Sequence, residues 1–370
     1  MKAMRWLAPA MLVCAMAPSA SAINPVGQSQ DNQDYYDLAN NTDSFLSVAQ
    51  FFSGGALCSS TWLGGEYVLT ARHCGGSGTS INITFNNGES VNSVGHWASN
   101  VAGNNNDLAI VRLERPPNLP SNYLPGKIRA NTAGIVNQTG TLVGYGGIGR
   151  SAGHNTITGA SDAGEIQAVD KNASSFQLGA NLIPGDSGGP LLAQEPVSTF
   201  SIVGVAAVLF NQFDIWANPT AYSEQIEFGM QYNHWSFFQN GTTPPVVGDL
   251  TLDGNVDVAD IDAFVANWKS THPEADLTAW TKGDLNGDLI TDLQDMFPLY
   301  KALGPQGPRL QAALGFAIPE PSAHFLVAIC LISLARRNGR NRTSSSLPSK
   351  RLGGDVAPRD GTPSGQLNNH

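Results

Sequence analysis

Ser187 lies in the hexapeptide Gly185-Asp186-Ser187-Gly188-Gly189-Pro190. A serine hydroxyl attacks poorly until a base takes its proton, and the carbonyl it attacks needs donors for its developing negative charge. Glycines around Ser187 let the backbone turn tightly and aim two N–H groups at one point. A candidate base, His73, stands in Thr70-Ala71-Arg72-His73-Cys74, just after the strand-like Tyr67-Val68-Leu69. Such a pair needs a carboxylate to fix the histidine tautomer and stabilise its charged form. No aspartate occurs between Cys74 and Asn106, and Glu89 follows the hairpin-like Asn86-Asn87-Gly88. Asp107 opens the apolar run Leu108 to Leu113, so a strand would carry it to the edge of a cleft. Together the three residue types suit acyl transfer through a covalent intermediate.

The elements that must position these residues read as short strands. Between residues 44 and 240, apolar runs such as Tyr67 to Leu69, Leu108 to Leu113, Gly140 to Val143 and Phe200 to Leu209 are broken by Gly, Asn and Ser. That pattern predicts an antiparallel sandwich or barrel architecture. Cys14 falls in an N-terminal apolar run and Cys330 in a C-terminal one, which leaves Cys58 and Cys74 for the folded part. Two cysteines in an oxidising compartment predict one disulfide, beside the histidine.

With those motifs in the order His, Asp, Ser, and with Gly144-Tyr145-Gly146 between them, residues 44–240 resemble the chymotrypsin/trypsin (S1-type) serine peptidases. The resemblance implies two six-stranded antiparallel β-barrels with the site between them, and protein or peptide substrates. It implies Ser187 as nucleophile, His73 as general base, Asp107 as the residue orienting it, and the N–H groups of Gly185 and Ser187 as the oxyanion hole, with no cofactor for catalysis. At the base of the family's specificity pocket stands Asn181 instead of an aspartate. Ile183 replaces a pocket-bracing cysteine, and Leu209 falls where a glycine would keep the pocket open. The expected preference is therefore for small or medium apolar side chains, not Arg or Lys. In the family a new α-amino group pairs with the carboxylate beside the nucleophile, here Asp186, and Ile23 is a residue of the right type to carry it.

After the Pro-containing linker 241–247, residues 248–304 carry a duplicated acidic loop. Counting Asp249 as position 1, oxygen ligands fall at Asp249, Thr251, Asp253, Asp257 and Asp260, with the carbonyl of Asn255 at position 7 and Gly254 at the turn. This is calcium-loop spacing. The second copy offers Asp284, Asn286, Asp288, Asp292 and Asp295, but Leu289 replaces the turn glycine and Pro298 should disturb its helix. Weaker binding is expected there. This small α-helical module resembles dockerins, which implies structural Ca2+ and a cohesin-like or envelope partner. It holds 11 acids against three lysines, so repulsion opposes its folding without metal.

The two ends read as signals. Lys2 and Arg5, the apolar run Trp6 to Ala17, and Ala20-Ser21-Ala22 predict a signal peptide over residues 1–22 and hence secretion. Beyond a connector at 305–318, Pro319-Glu320-Pro321, the apolar Phe325 to Ala335, and Arg336-Arg337 resemble a bacterial PEP-CTERM sorting signal over 319–340, followed by a polar tail, 341–370. That resemblance implies transient membrane association and release at the cell envelope. From Ile23 to Ile318 there are 11 basic and 27 acidic residues, a net of −16, which argues against nucleic acid as a partner. Two readings follow: an exported serine endopeptidase, or a protease-like binding protein without turnover, displayed through its calcium module. The presence of all three triad residue types favours the first. The paired carboxylates of glycoside chemistry have no counterpart in 44–240.

Overall fold

The computed structural model describes residues 24–25, 31–75, 80–101, 107–146, 149–160, 166–168, 176–195, 199–209 and 214–315. The predicted signal peptide and the sorting segment lie outside the described residues. Two compact units divide the chain, Met1–Leu310 and Gln311–His370. Of the second, only the end of the last helix, to Gly315, is described.

The first unit contains two closed barrels of six strands. In the first, β2 (Val48–Ser53), β3 (Ala56–Gly64), β4 (Tyr67–Thr70), β5 (Asn82–Thr84), β6 (Ser90–Ala98) and β7 (Ala109–Leu113) close in the order β2-β3-β4-β7-β6-β5. In the second, β8 (Thr139–Gly144), β9 (Ser151–Gly159), β10 (Ile166–Ala168), β12 (Pro190–Gln194), β13 (Phe200–Leu209) and β14 (Asp214–Ala217) close as β10-β14-β13-β12-β8-β9. Every pairing is antiparallel, as the alternation of short runs and turn residues predicts. Closure removes the exposed edges that a flat sheet would leave. Phe51, Val68, Leu69, Ile83, Phe85 and Ile110 fill the first barrel, and Leu142, Ile157, Leu191, Val203 and Trp216 the second. Each such side chain contributes about 1.5–3 kcal/mol on leaving water.

Three smaller pieces set the frame of the site. β1 (Asn24–Pro25) pairs with β11 (Ala180–Asn181), in register Asn24 to Asn181. α1 (Asn32–Asn40) starts on its cap Asp31, whose carboxylate accepts the Gln33 N–H. α2 (Arg72–Gly75) is a single turn that follows β4 directly.

After β14 the chain returns to the first barrel through α3 (Ser223–Tyr232) and α4 (Ser236–Asn240). Asn233 ends α3 in the left-handed region at φ 57°, and Trp235 then stacks on Trp97 with ring centroids 5.0 Å apart. The acidic module follows as α5 (Val258–Ala266), α6 (Leu277–Thr281) and α7 (Leu293–Leu303), and α8 (Gly307–Gly315) closes the described chain.

The module packs on α3 within the first unit. Trp280 is fully buried against Phe228, Tyr232 and His234. The Asn233 side-chain amide donates to the Gly287 carbonyl at 2.9 Å, and His234 Nε2–H to the Asp284 carbonyl at 2.6 Å. Burial holds the pKa of His234 down, at about 4, so the ring is neutral there.

Candidate active site

The histidine-bearing turn is held from three sides. β4 pairs with β7 up to Thr70 opposite Ala109, which brings the end of one strand beside the start of the other. α2 leaves β4 at this point, and Asp107 precedes β7 by two residues. The result is a double contact: His73 Nδ1 lies 2.8 Å from Asp107 Oδ2, and the His73 backbone N–H donates to Asp107 Oδ1 at 3.0 Å. An ionised carboxylate only accepts, so Nδ1 carries the proton and Nε2 is left as the basic nitrogen. The Asp107 hydrogen bond raises the His73 pKa above its ordinary 6.5 against the opposing effect of burial. The Cys58–Cys74 disulfide is formed, and it ties α2 to β3 one residue after His73.

The Ser187 turn approaches the same place from the second barrel. The Ser187 carbonyl accepts the Ser59 N–H at 2.7 Å and lies 3.8 Å from the Cys74 sulfur. Gly188, at φ +85°, passes so close to the first barrel that a Cβ there would sit 2.1 Å from Thr70 Oγ1 and 2.2 Å from the Ser59 carbonyl. Gly185 stands at φ +103°, where a Cβ would fall 2.6 Å from the Gly146 Cα. Glycine is required at both by space and by backbone conformation. Ser187 is half-buried and His73 exposed. No hydrogen bond joins the Ser187 hydroxyl to the His73 ring. The N–H groups of Gly185 and Ser187 likewise find no partner among the described residues.

Asp186 is buried, and its carboxylate accepts the N–H groups of Gly146 and Ile183 at 2.9 Å each. Burial drives its pKa well above the usual carboxylate range, those two hydrogen bonds oppose the shift, and Asp214 adds to it. Asn181 is buried and accepts from the Asn155 side-chain amide at 3.0 Å. The side chain of Leu209 lies outside what is described; its backbone pairs with Asp214. Two residues enter that no motif marked. Asp214 is buried beside Asn181, accepting the Leu182 N–H at 2.9 Å, and Ser59 contacts both sides of the Ser187 turn. A lone Asp at the start of a strand and a Ser in a run of hydroxyl residues carry no sequence signal of a role.

The two acidic loops have one backbone design. Positions 4 and 6 are left-handed in both, Leu252 (φ 59°) and Gly254 (φ 86°) in the first, Gly287 (φ 66°) and Leu289 (φ 74°) in the second. The glycine and leucine have exchanged places, so the second loop turns without a glycine at position 6. Pro298 does not break α7, which runs for 11 residues around it; as the sixth residue it forfeits one bond, to the Gln294 carbonyl, and the helix continues past it.

Asp260 and Asp295 play matching parts. Each closes a capping box with Asp257 or Asp292 and accepts the N–H groups at positions 2 and 3 of its loop. In the second copy, carboxylate oxygens of Asp284, Asp288 and Asp295 lie within 4.8 Å of one another. Burial raises the pKa of Asp284 to about 6 and of Asp295 to about 7. Asp284 Oδ1 is buried without a hydrogen-bond partner. A cluster of three carboxylates, one of them with a buried and unpartnered oxygen, fits a hard divalent cation. Asp249 is more fully engaged, accepting from Thr251, Asp253 and Gly254.

With this geometry in place, the trypsin family model matches residues 38–213, less than half of the chain. The matched stretch, which is similar to the trypsin family, includes His73, Asp107 and Ser187. Among solved structures, a scabies mite inactivated protease paralogue is 19% identical, with 50% of this chain and 94% of that chain covered and a TM-score of 0.41. Neuropsin, a serine protease expressed in the limbic system of mouse brain, is 17% identical, with 51% and 96% covered and a TM-score of 0.42. No curated protein matches the chain.

Proposed function

We propose that the chain is an exported serine endopeptidase that hydrolyses peptide bonds through an acyl-enzyme. The observation that carries this reading is the doubly held His73–Asp107 pair beside the Ser187 turn. His73 Nε2 accepts the Ser187 proton as the hydroxyl attacks, Asp107 steadies the imidazolium, and the proton passes on to the leaving amine. The N–H groups of Gly185 and Ser187 stabilise the oxyanion, a contribution of about 10²–10³ in turnover per donor.

The neutral, hydrogen-bonded Asn181 supports cleavage after small or medium apolar residues. The β1–β11 pairing supports activation by removal of residues 1–22, because it sets Asn24, next to Ile23, against Asn181 and hence near the turn that holds Asp186. The acidic module binds structural Ca2+, with the Asp284, Asp288 and Asp295 cluster as the better-supported site. A cohesin-like or envelope partner, and sorting through 319–340, rest on the sequence resemblances alone.

The test is digestion of a peptide library by the purified protein beginning at Ile23, with Ser187→Ala as control. Cleavage by the wild type alone, after Ala, Val or Leu, is expected. Cleavage that survives Ser187→Ala would overturn the mechanism. A strong Arg or Lys preference would overturn the pocket reading and point to Asp214 as its charge.

A further inference from the structure

Ser59 is fully buried in β3, and its three polar groups make four hydrogen bonds. Its N–H donates to the Ser187 carbonyl at 2.7 Å, and its own carbonyl accepts Thr70 Oγ1–H at 2.8 Å. Its hydroxyl donates to the Gly185 carbonyl at 2.9 Å and accepts the Tyr145 N–H at 2.9 Å. The backbone contacts follow from the topology. β3 pairs with β4 through Thr61 and Leu69, so Ser59 falls opposite Ala71, where β4 has already ended. The strand edge left open there is taken by the Ser187 turn.

The side-chain contacts are additional to that topology. We propose that the Ser59 hydroxyl is a positioning element for the oxyanion hole, setting the orientation of the Gly185–Ser187 turn from the opposite barrel. The proposal rests on the serine peptidase reading for its functional meaning, and on the four hydrogen bonds for its geometry.

The carbonyls of Gly185 and Ser187 both turn toward Ser59, one to its hydroxyl and one to its N–H. The Gly185 carbonyl belongs to the Gly185–Asp186 peptide, which lies between the two peptides that carry the Gly185 and Ser187 N–H groups, and the Ser187 carbonyl belongs to the peptide that follows, so holding both fixes the donor peptides from their flanks. A hydroxyl that accepts the Tyr145 N–H has its own proton directed elsewhere, here to Gly185.

The same Tyr145-Gly146 segment supplies the N–H that holds Asp186, so one hydroxyl registers three consecutive parts of the site. Gly185, at φ +103° and without a Cβ, is where the turn rotates most easily. The Ser59 hydroxyl restrains one face of the Gly185–Asp186 peptide, and the bond from Asp186 N–H to the Ile183 carbonyl, at 3.1 Å, restrains the other.

The experiment compares Ser59→Ala with Ser60→Ala in the chain beginning at Ile23. Ser60 is the next residue of β3, equally buried, and its hydroxyl donates to the Ala49 carbonyl, away from the turn. Ser59→Gly removes the same hydroxyl should the alanine variant fail to accumulate.

Ser59→Ala is expected to lower kcat by about 10- to 100-fold with KM within about threefold, because a donor out of line costs transition-state and not ground-state binding. Ser60→Ala should do neither. Amide hydrogen exchange across residues 183–189 should quicken by about tenfold in Ser59→Ala and stay unchanged in Ser60→Ala. A kcat within twofold of wild type, an equal loss in Ser60→Ala, or unchanged exchange in the turn would each overturn the proposal. Exchange also separates the two claims. If the wild type has no turnover and yet the turn loosens in Ser59→Ala, the peptidase reading fails and the positioning stands.

Discussion

His73 and Asp107 are joined twice, through the ring Nδ1 to Oδ2 at 2.8 Å and through the backbone N–H to Oδ1 at 3.0 Å. One carboxylate therefore fixes both the tautomer of the base and the placement of the turn that carries it. A single substitution there touches chemistry and geometry together.

Asp107→Asn should lower kcat on the order of 10⁴-fold, because an amide can donate to Nδ1 and put the proton on the wrong nitrogen. The wild-type pH profile follows from the same contact. His73 must be neutral to act as base, and its pKa is raised by Asp107, so kcat/KM should rise with pH through an apparent pKa above 6.5. For stability the sign is opposite: the pair's contribution is full below the unfolded histidine pKa and is lost as pH rises through the folded one. Kinetics between pH 5 and 9, with urea melts at the same values, check both.

Removing the disulfide should act on the base before it acts on the fold. Cys58 and Cys74 are 16 residues apart, and closing a loop of that size is worth about 3 kcal/mol. Cys58→Ser with Cys74→Ser should lower Tm by several degrees and reduce kcat by loosening α2. Calorimetry and initial rates on the double variant measure the two effects.

Calcium should raise the melting temperature of the chain, by the equivalent of about 2.7 kcal/mol at 100 times Kd. Burial raises the carboxyl groups of Asp284 to about 6 and Asp295 to about 7 without metal. A raised folded-state pKa means metal-free stability falls as pH climbs from the unfolded value of 3.8 through these values. The gain from calcium should thus be larger at pH 7.5 than at pH 5. Melts with calcium or chelator at both values test this, and Asp288→Ala should remove most of the gain.

The seam between α3 and the second acidic loop should make the barrels and the module unfold together. Gly287→Ala places a Cβ 2.8 Å from the Tyr232 carbonyl at a residue with φ +66°, and should destabilise the chain by about 1–3 kcal/mol. Asn233→Ala, which loses the bond to the Gly287 carbonyl, should cost about 1 kcal/mol. A single calorimetric transition that moves in both variants is expected. Two transitions, with only the smaller one moving, would show an independent module.

Much of this was legible in residue order. Alternating apolar runs specify strands because their period is two, and the motifs around His73, Asp107 and Ser187 advertise themselves through glycine, cysteine and a following strand. The parts that were not legible depend on contacts distant in sequence or on a backbone path that residue type alone does not fix. Ser59 meets Gly185 126 positions away, and nothing in Cys58-Ser59-Ser60-Thr61 distinguishes it from its neighbours. The exchange of Leu and Gly between positions 4 and 6 of the second loop reads as a lost turn, yet the backbone takes the same left-handed path. Pro298 reads as a break, yet α7 runs through it from Leu293 to Leu303.

The most direct test of the central claim is covalent labelling of Ser187. Purified protein beginning at Ile23 is treated with a fluorophosphonate and its peptides are mapped by mass spectrometry. The account predicts one adduct, on Ser187, that is abolished by Ser187→Ala and strongly slowed by His73→Ala. An unlabelled wild type with its disulfide formed and its fold intact would contradict it, and would leave a protease-like fold that binds without turnover.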